Sequence, residues 1–275
     1  MPELPEVETT RRGIATVMTG HTLRTLIVHE PRMRWPIPEE LPQLVHEQPV
    51  LACGRRGKYL LIQFPHGTQL IHLGMSGSLR RVPLDAPRLK HDHVEWLFDE
   101  SRFLLHDPRR FGSVLWHPAQ NGDVLQHPLL QKLGVEPLGE DFTPAMLFAH
   151  LQQRKLAIKP TLLSGQIVVG VGNIYASESL YKAGIHPEAP ANTISKPRVA
   201  KLHTAIVQTL SDALASGGST LKDYVNASGT PGAYFELHSK VYDKEGKPCP
   251  QCQKPILRLV QNQRATYFCS RCQRR

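Results

Sequence analysis

The sequence predicts an α+β protein in three parts: a β-rich N-terminal domain entered by one helix, a helical middle and a small basic appendix. Three observations carry this reading. The apolar period changes from helical to alternating near residue 22, and returns to helical after about residue 130. Four of the five cysteines lie beyond residue 248, in two C-x-x-C pairs. The net charge of +9 is uneven: residues 1–150 hold 16 basic and 17 acidic side chains, 151–239 hold 8 and 5, and 240–275 hold 9 and 2. Excess positive charge confined to a tail points to a local polyanion contact. With 275 residues, 40% hydrophobic and 21% charged, the composition is neither disordered nor membranous. No apolar run approaches the roughly 20 residues of a membrane helix, and the acidic start lacks the order of a secretory signal. A soluble cytoplasmic protein is expected.

Residues 3–19 read as a helix: Pro5 suits its first turn, Glu3, Glu6 and Glu8 complement its positive end, and Val7, Ile14 and Val17 supply an apolar face. Gly20 is its stop. Between 22 and 117, the runs 22–28, 59–64, 69–73, 93–98, 103–106 and 113–116 are rich in β-formers and separated by Pro, Gly and Asp. Strands at such spacing suggest a sandwich or a barrel, with the Pro-rich stretch 31–43 a loop across one edge. Helices are expected at 144–153, as an interrupted pair across 160–183, at 197–215, and in a short piece near 220–225. Segment 216–234, rich in Gly, Ser and Asn, reads as a mobile loop.

Cys249-Pro-Gln-Cys252 and Cys269-Ser-Arg-Cys272 form two tight knuckles that offer four thiolates in a tetrahedron, the arrangement Zn²⁺ favours. Two disulfides are the alternative, but nothing else in the chain indicates an oxidising compartment. Four thiolates leave no open coordination position, so the expected zinc is single and structural. Residues 256–260 and 265–268 alternate like a hairpin with 261–264 at its turn. The metallated tail stays positive and can approach phosphates.

The first residues allow a chemical reading as well as a capping one. Removal of Met1 would expose a secondary amine at Pro2. An α-amine has a pKa of about 7.7–8.0, which a helix N-terminus lowers further. Such an amine is a nucleophile suited to Schiff-base chemistry, with Glu3 beside it to move a proton. Taken alone, composition favours plain capping. Further stretches reverse that balance: Arg55-Arg56-Gly57-Lys58-Tyr59-Leu60, His72-Leu73-Gly74-Met75-Ser76-Gly77, Asp107-Pro108-Arg109-Arg110-Phe111-Gly112 and Gly170-Val171-Gly172-Asn173-Ile174-Tyr175-Ala176. With the paired cysteines, they make the chain closely resemble the bacterial formamidopyrimidine-DNA glycosylase family from residue 2 to residue 272. No single motif decides this; their joint order does.

The resemblance implies a β-sandwich flanked by helices over 1–130, a helix–two-turn–helix domain over 131–239 and a zinc-finger β-hairpin over 240–275. It also implies a repair enzyme that excises oxidised purines from double-stranded DNA and cleaves the abasic strand, acting as a monomer with no membrane partner. On that basis Pro2 attacks the sugar, Glu3 protonates its ring oxygen, Lys58 serves β-elimination and Arg264 serves δ-elimination. Arg264 is better suited to binding the departing phosphate, since a guanidinium does not give up its proton. Met75, Arg109 and Phe111 match residues that fill the space of an extruded nucleotide. Asn173 matches the position that holds the phosphate at the lesion, His91 and Arg154 match DNA contacts, and Lys159 faces the site. His91, His93 and His106 also raise a second metal, which their alternation with apolar residues disfavours. Arg55 and Arg56 read as phosphate contacts or solvated charges, and 216–234 as the loop that caps the lesion. Endonuclease VIII, which uses the same proline chemistry on oxidised pyrimidines, is the nearest competitor; Leu4 and the Met75, Arg109, Phe111 set favour the purine enzyme.

Overall fold

The computed structural model describes residues 1–219, 227 and 232–275. The chain divides into two compact units, residues 1–131 with 216–235, and residues 132–215 with 236–275.

In the first unit, α1 (Leu4–Met18) buries Leu4, Val7, Ile14 and Met18. Its start is pinned by the Glu6 carboxylate, which accepts from the Glu3 N–H at 2.7 Å, half of a capping box. Next come β1 (Thr22–Leu23), β2 (Thr25–Val28), α2 (Leu41–Val45), β3 (Gln48–Pro49), β4 (Ala52–Arg56), β5 (Tyr59–Phe64) and β6 (Gly67–His72). The series ends with β7 (Ser78–Val82), β8 (Asp92–Leu97), β9 (Arg102–His106) and β10 (Ser113–Pro118). Two four-stranded antiparallel sheets form, ordered β10-β6-β5-β4 and β2-β8-β9-β7. Leu60, Ile62 and Ile71 of one sheet share a core with Val94, Trp96, Phe103 and Leu105 of the other and with α1. The Trp96 indole N–H finds its buried partner across the sandwich, donating to Gln69 Oε1 at 2.9 Å.

Besides the two-residue β3, two longer strands escaped the sequence reading, β4 and β7. Both lie at sheet edges and carry adjacent arginines, Arg55-Arg56 and Arg80-Arg81. Charged, short edge strands resist unwanted pairing and so lack the apolar alternation of a strand paired on both sides. α2 also went unread, overlapping the end of the stretch expected to be a loop. Ser219 and Ala227 pack with this unit: Ser219 N–H donates to Glu6 Oε1 at 2.6 Å, and Ala227 lies buried in the sandwich core. The short helix expected near 220–225, and most of the 216–234 loop, lie outside the described residues.

In the second unit, α3 (Pro144–Gln152) is capped by Thr143, whose hydroxyl accepts from the Met146 N–H. The interrupted pair becomes α4 (Ile158–Leu163) and α5 (Asn173–Ala183), the latter stopped by Gly184 in the left-handed region at φ 68°. α6 (Lys196–Ala215) buries Val199, Leu202, Ile206, Leu210 and Ala213 along one face. After α7 (Tyr234–His238), β11 (Leu257–Gln261) and β12 (Arg264–Phe268) pair as a hairpin. The turn is Asn262-Gln263 alone, both left-handed at φ 47° and 60°, so each strand is one residue longer at the turn than the alternation suggested. Two successive positive φ values match the twist of a two-residue hairpin. No helix among the described residues is long and apolar enough to cross a membrane.

Candidate active site

In the first unit, Pro2 and Glu3 are both buried at the start of α1, Glu3 being only 2% exposed. Glu6 holds this start in place with one oxygen on Glu3 N–H and the other on Ser219 N–H. Lys58 occupies the tip of the β4–β5 hairpin, where Arg56 faces Tyr59 and only two residues make the turn. Gly57 is its first central residue, at φ 56°.

His72 is paired with Tyr59 across the sheet, their ring centroids 4.9 Å apart. Burial, then the charges of Lys58 and Arg34, push its imidazole down to about 4. Its Nδ1 lies 3.0 Å from the Gly74 N–H, and a neutral ring accepting there carries its proton on Nε2. His72 is thus held as a neutral ring beside the Lys58 hairpin. The sequence displayed it only as the first letter of a motif, because neither its burial nor its nearby charges are local in the chain.

Met75 and Phe111 are 43% and 42% exposed, unusual for large apolar side chains, and Arg109 lies over the Phe111 ring with Cζ 4.7 Å from its centroid. One carboxylate joins the two loops that bear them. The fully buried Asp107 accepts from Gly112 N–H at 2.7 Å and from the Ser76 hydroxyl at 3.4 Å. The loops approach so closely that a Cβ on Gly74, already left-handed at φ 65°, would stand 2.4 Å from Gly112 N.

His91 is half-buried, its ring 6.1 Å from that of His93 and 5.9 Å from that of His106. His93 Nε2 bonds the Asp107 carbonyl and His106 Nδ1 bonds the Asp92 carboxylate, so two of these three rings are engaged by protein groups. Arg55 corrects an expectation: its side chain is 13% exposed and bonded to Glu8 and to the Gly57 carbonyl. It is an internal strut, not a solvated charge.

In the second unit, Gly172 caps α5 and Asn173 opens it. Asn173 Nδ2 donates to the Ala265 carbonyl at 2.9 Å and to the Tyr242 hydroxyl at 3.3 Å, fastening the hairpin to the helix start. Lys159 requires a correction as well. It is fully buried, and its ammonium donates to Thr266 Oγ1 at 2.7 Å and Ala265 O at 3.1 Å. An ammonium held there braces β12 from beneath. Arg264 and Arg154 are both exposed, Arg264 on the first residue of β12 and Arg154 just beyond α3.

The four tail cysteines place their Sγ atoms within 4.8 Å of one another, with Cys249–Cys272 at 3.8 Å and Cys252–Cys269 at 3.4 Å. A tetrahedron of Zn–S bonds of about 2.3 Å separates its sulfurs by about 3.8 Å, so this set fits one zinc ion. Among the described residues it is the one group assembled to hold a metal. Burial opposes ionisation of Cys249, but the Tyr181 hydroxyl at 3.3 Å and neighbouring backbone N–H groups overcome it and bring the thiol to about 6. Such outer partners favour the thiolate that a metal requires.

Family models match along the chain: the formamidopyrimidine-DNA glycosylase N-terminal domain over 1–114, its H2TH domain over 133–225, and the zinc finger found in FPG and IleRS over 246–275. The formamidopyrimidine-DNA glycosylase of Bordetella avium is 62% identical over the full length of both chains, and that of Burkholderia thailandensis 50%. The chain belongs to the formamidopyrimidine-DNA glycosylase family. Among solved structures, a Lactococcus lactis FPG mutant in complex with Fapy-dG-containing DNA superposes with a TM-score of 0.92 at 34% identity, covering all of both chains. MutM (FPG) from Thermus thermophilus gives 0.88 at 36%, covering 99% of this chain and 98% of that one. The family's zinc finger and the geometry of the four cysteines assign one structural zinc to the glycosylase tail.

Proposed function

We propose that this glycosylase is bifunctional: it excises oxidised purines, 8-oxoguanine and formamidopyrimidines, from double-stranded DNA through a Pro2 Schiff base and then cleaves the abasic strand. The observation that carries this is Pro2 directly before a buried Glu3 at the positive end of α1, in a chain of this family. The Pro2 nitrogen attacks C1′ and the glycosidic bond breaks, its electron pair leaving with the base. Glu3 protonates the ring oxygen as the sugar opens, giving an iminium ion. Loss of a C2′ proton, to Lys58, expels the 3′ phosphate; a second elimination expels the 5′ phosphate, which Arg264 binds. Hydrolysis of the iminium then frees Pro2. Met75, Arg109 and Phe111 fill the space left by the extruded nucleotide, while His91, Arg154 and Asn173 hold the backbone. A complex of the L. lactis enzyme with abasic-site DNA, TM-score 0.91, supports an abasic intermediate as ligand.

Borohydride added with lesion-containing duplex tests the reading. Wild type is expected to be trapped covalently, while protein retaining Met1, whose Pro2 nitrogen is an amide, and Glu3→Gln should lose trapping and keep most duplex binding. Absence of a covalent product in wild type would mark a non-catalytic damage binder, and a preference for thymine glycol over 8-oxoguanine would defeat the purine assignment.

A further inference from the structure

A network around Glu8 converges on the hairpin that carries Lys58. Glu8 receives Arg11 through two nitrogens, at 3.0 and 2.9 Å, Arg12 at 2.9 Å and Arg55 at 3.0 Å. Arg55 also donates through Nη1 to the Gly57 carbonyl at 2.9 Å, and Arg11 through Nη1 to the Cys53 carbonyl at 3.2 Å. Glu8 and Arg55 are each 13% exposed. Burial works against ionisation of Glu8, but the three guanidiniums bring its pKa down to about 2, so it is a carboxylate throughout the neutral range.

This arrangement answers a mechanical weakness. β4 is an edge strand supported on one side by β5, and Lys58 stands at the tip of the two-residue turn that joins them. The Arg55 guanidinium closes the turn onto the carbonyl immediately before Lys58, and Glu8 fastens that guanidinium to α1, the helix that begins at Pro2 and Glu3. Arg11 adds a second tie from the same helix to the same strand.

We propose that Glu8 and Arg55 are positioning residues that aim Lys58 toward the chemistry begun by Pro2, through the chain Glu8 carboxylate, Arg55 guanidinium, Gly57 carbonyl. The inference rests on the assignment of Lys58 to β-elimination. It separates two steps: formation of the iminium at Pro2 does not need Lys58 to be aimed, and removal of the C2′ proton does.

The test uses full-length, zinc-loaded protein and duplex carrying a preformed abasic site. A misplacement near 1 Å can cost on the order of 100-fold. Arg55→Met and Glu8→Gln are therefore expected to slow single-turnover strand cleavage about 10- to 100-fold. Borohydride trapping and duplex Kd should each stay within about threefold, since neither reads the elimination step. The decisive comparison is a double-mutant cycle: Arg55→Met added to Lys58→Gln should cause no further loss, because residues acting as one unit are not additive. Rescue by Arg55→Lys is expected to be partial, since one ammonium cannot reproduce the forked contact. Full multiplication of the two losses, or trapping that falls in step with cleavage, would overturn the proposal. If Arg55→Met fails to fold, Glu8→Gln, which keeps side-chain size, carries the same cycle. Lys58→Gln leaving cleavage unchanged would overturn the assignment of Lys58 itself, whatever Arg55→Met does.

Discussion

Glu178 offers the most exacting test of how the zinc module is held. It is completely buried on α5, and its carboxylate takes four hydrogen bonds from one short stretch. They come from the Ser239 hydroxyl at 3.1 Å, Lys240 N–H at 2.9 Å, Val241 N–H at 3.0 Å and Tyr242 N–H at 2.8 Å. Glu178→Gln keeps the shape. Three of the donors meet Oε1, which stays an acceptor but loses charge; bonds to charged groups exceed neutral ones by about 1 kcal/mol each. Lys240 N–H meets Oε2, which becomes a donor, leaving two donors opposed at a cost of about 1–3 kcal/mol. Against this near-5 kcal/mol loss stands the easier burial of an amide than of a carboxylate, several kcal/mol before relaxation. A net destabilisation of about 2–3 kcal/mol remains, or roughly 8–12 °C of melting temperature for a unit of this size. Differential scanning calorimetry measures it, with zinc content by mass spectrometry to show that the metal loosens with the same transition. A variant melting within about 2 °C of wild type would refute the reasoning, because burial penalty and hydrogen bonding would then cancel.

Removing zinc with a chelator should abolish strand cleavage while the fluorescence of Trp35, Trp96 and Trp116, all in the first unit, stays native; a joint loss would contradict the division into units. Asp107→Ala strands the buried Gly112 N–H at a cost of about 2 kcal/mol and frees the Met75 and Phe111 loops. Binding of abasic duplex, read by fluorescence anisotropy, is expected to weaken up to about 30-fold if the whole of that loss falls on the bound state. Glu8 has its pKa lowered from 4.5 to about 2, so its stabilisation is complete above pH 4.5 and lost as pH falls through 2. The stability gap between wild type and Glu8→Gln in urea titrations should close over that window and stay constant above it. Intact-mass measurement should show active protein beginning at Pro2, because retained Met1 would turn the nucleophile into an amide.

The sequence made legible whatever its chemistry keeps local. Two C-x-x-C knuckles specify a metal site because their spacing is itself the geometry, and the apolar, β-rich runs 59–64 and 103–106 exposed the sandwich because β5 and β9 are central strands, each paired on both edges. What stayed hidden depends on partners distant in the chain. Lys159 looked like a cation for DNA until Thr266, 107 positions away, was seen to hold it beneath the hairpin. Arg55 looked like a phosphate contact until Glu8, 47 positions away, engaged it. A basic residue announces charge, and only its tertiary partner decides whether that charge faces outward.

The return of residues 216–235 to the first unit has a consequence for synthesis. Gly13 on α1 lies so close to Ala227 that a Cβ there would come within 2.7 Å, and Arg81 N–H donates to the Ala227 carbonyl. A ribosome finishes the sandwich strands long before it makes Ala227. At about 5–20 residues per second, that gap lasts on the order of 5–20 seconds. Throughout it Gly13 and the Arg81 N–H lack the contacts that Ala227 supplies. Expression of residues 1–131 alone should therefore yield a domain with an unsealed seam, prone to bind itself.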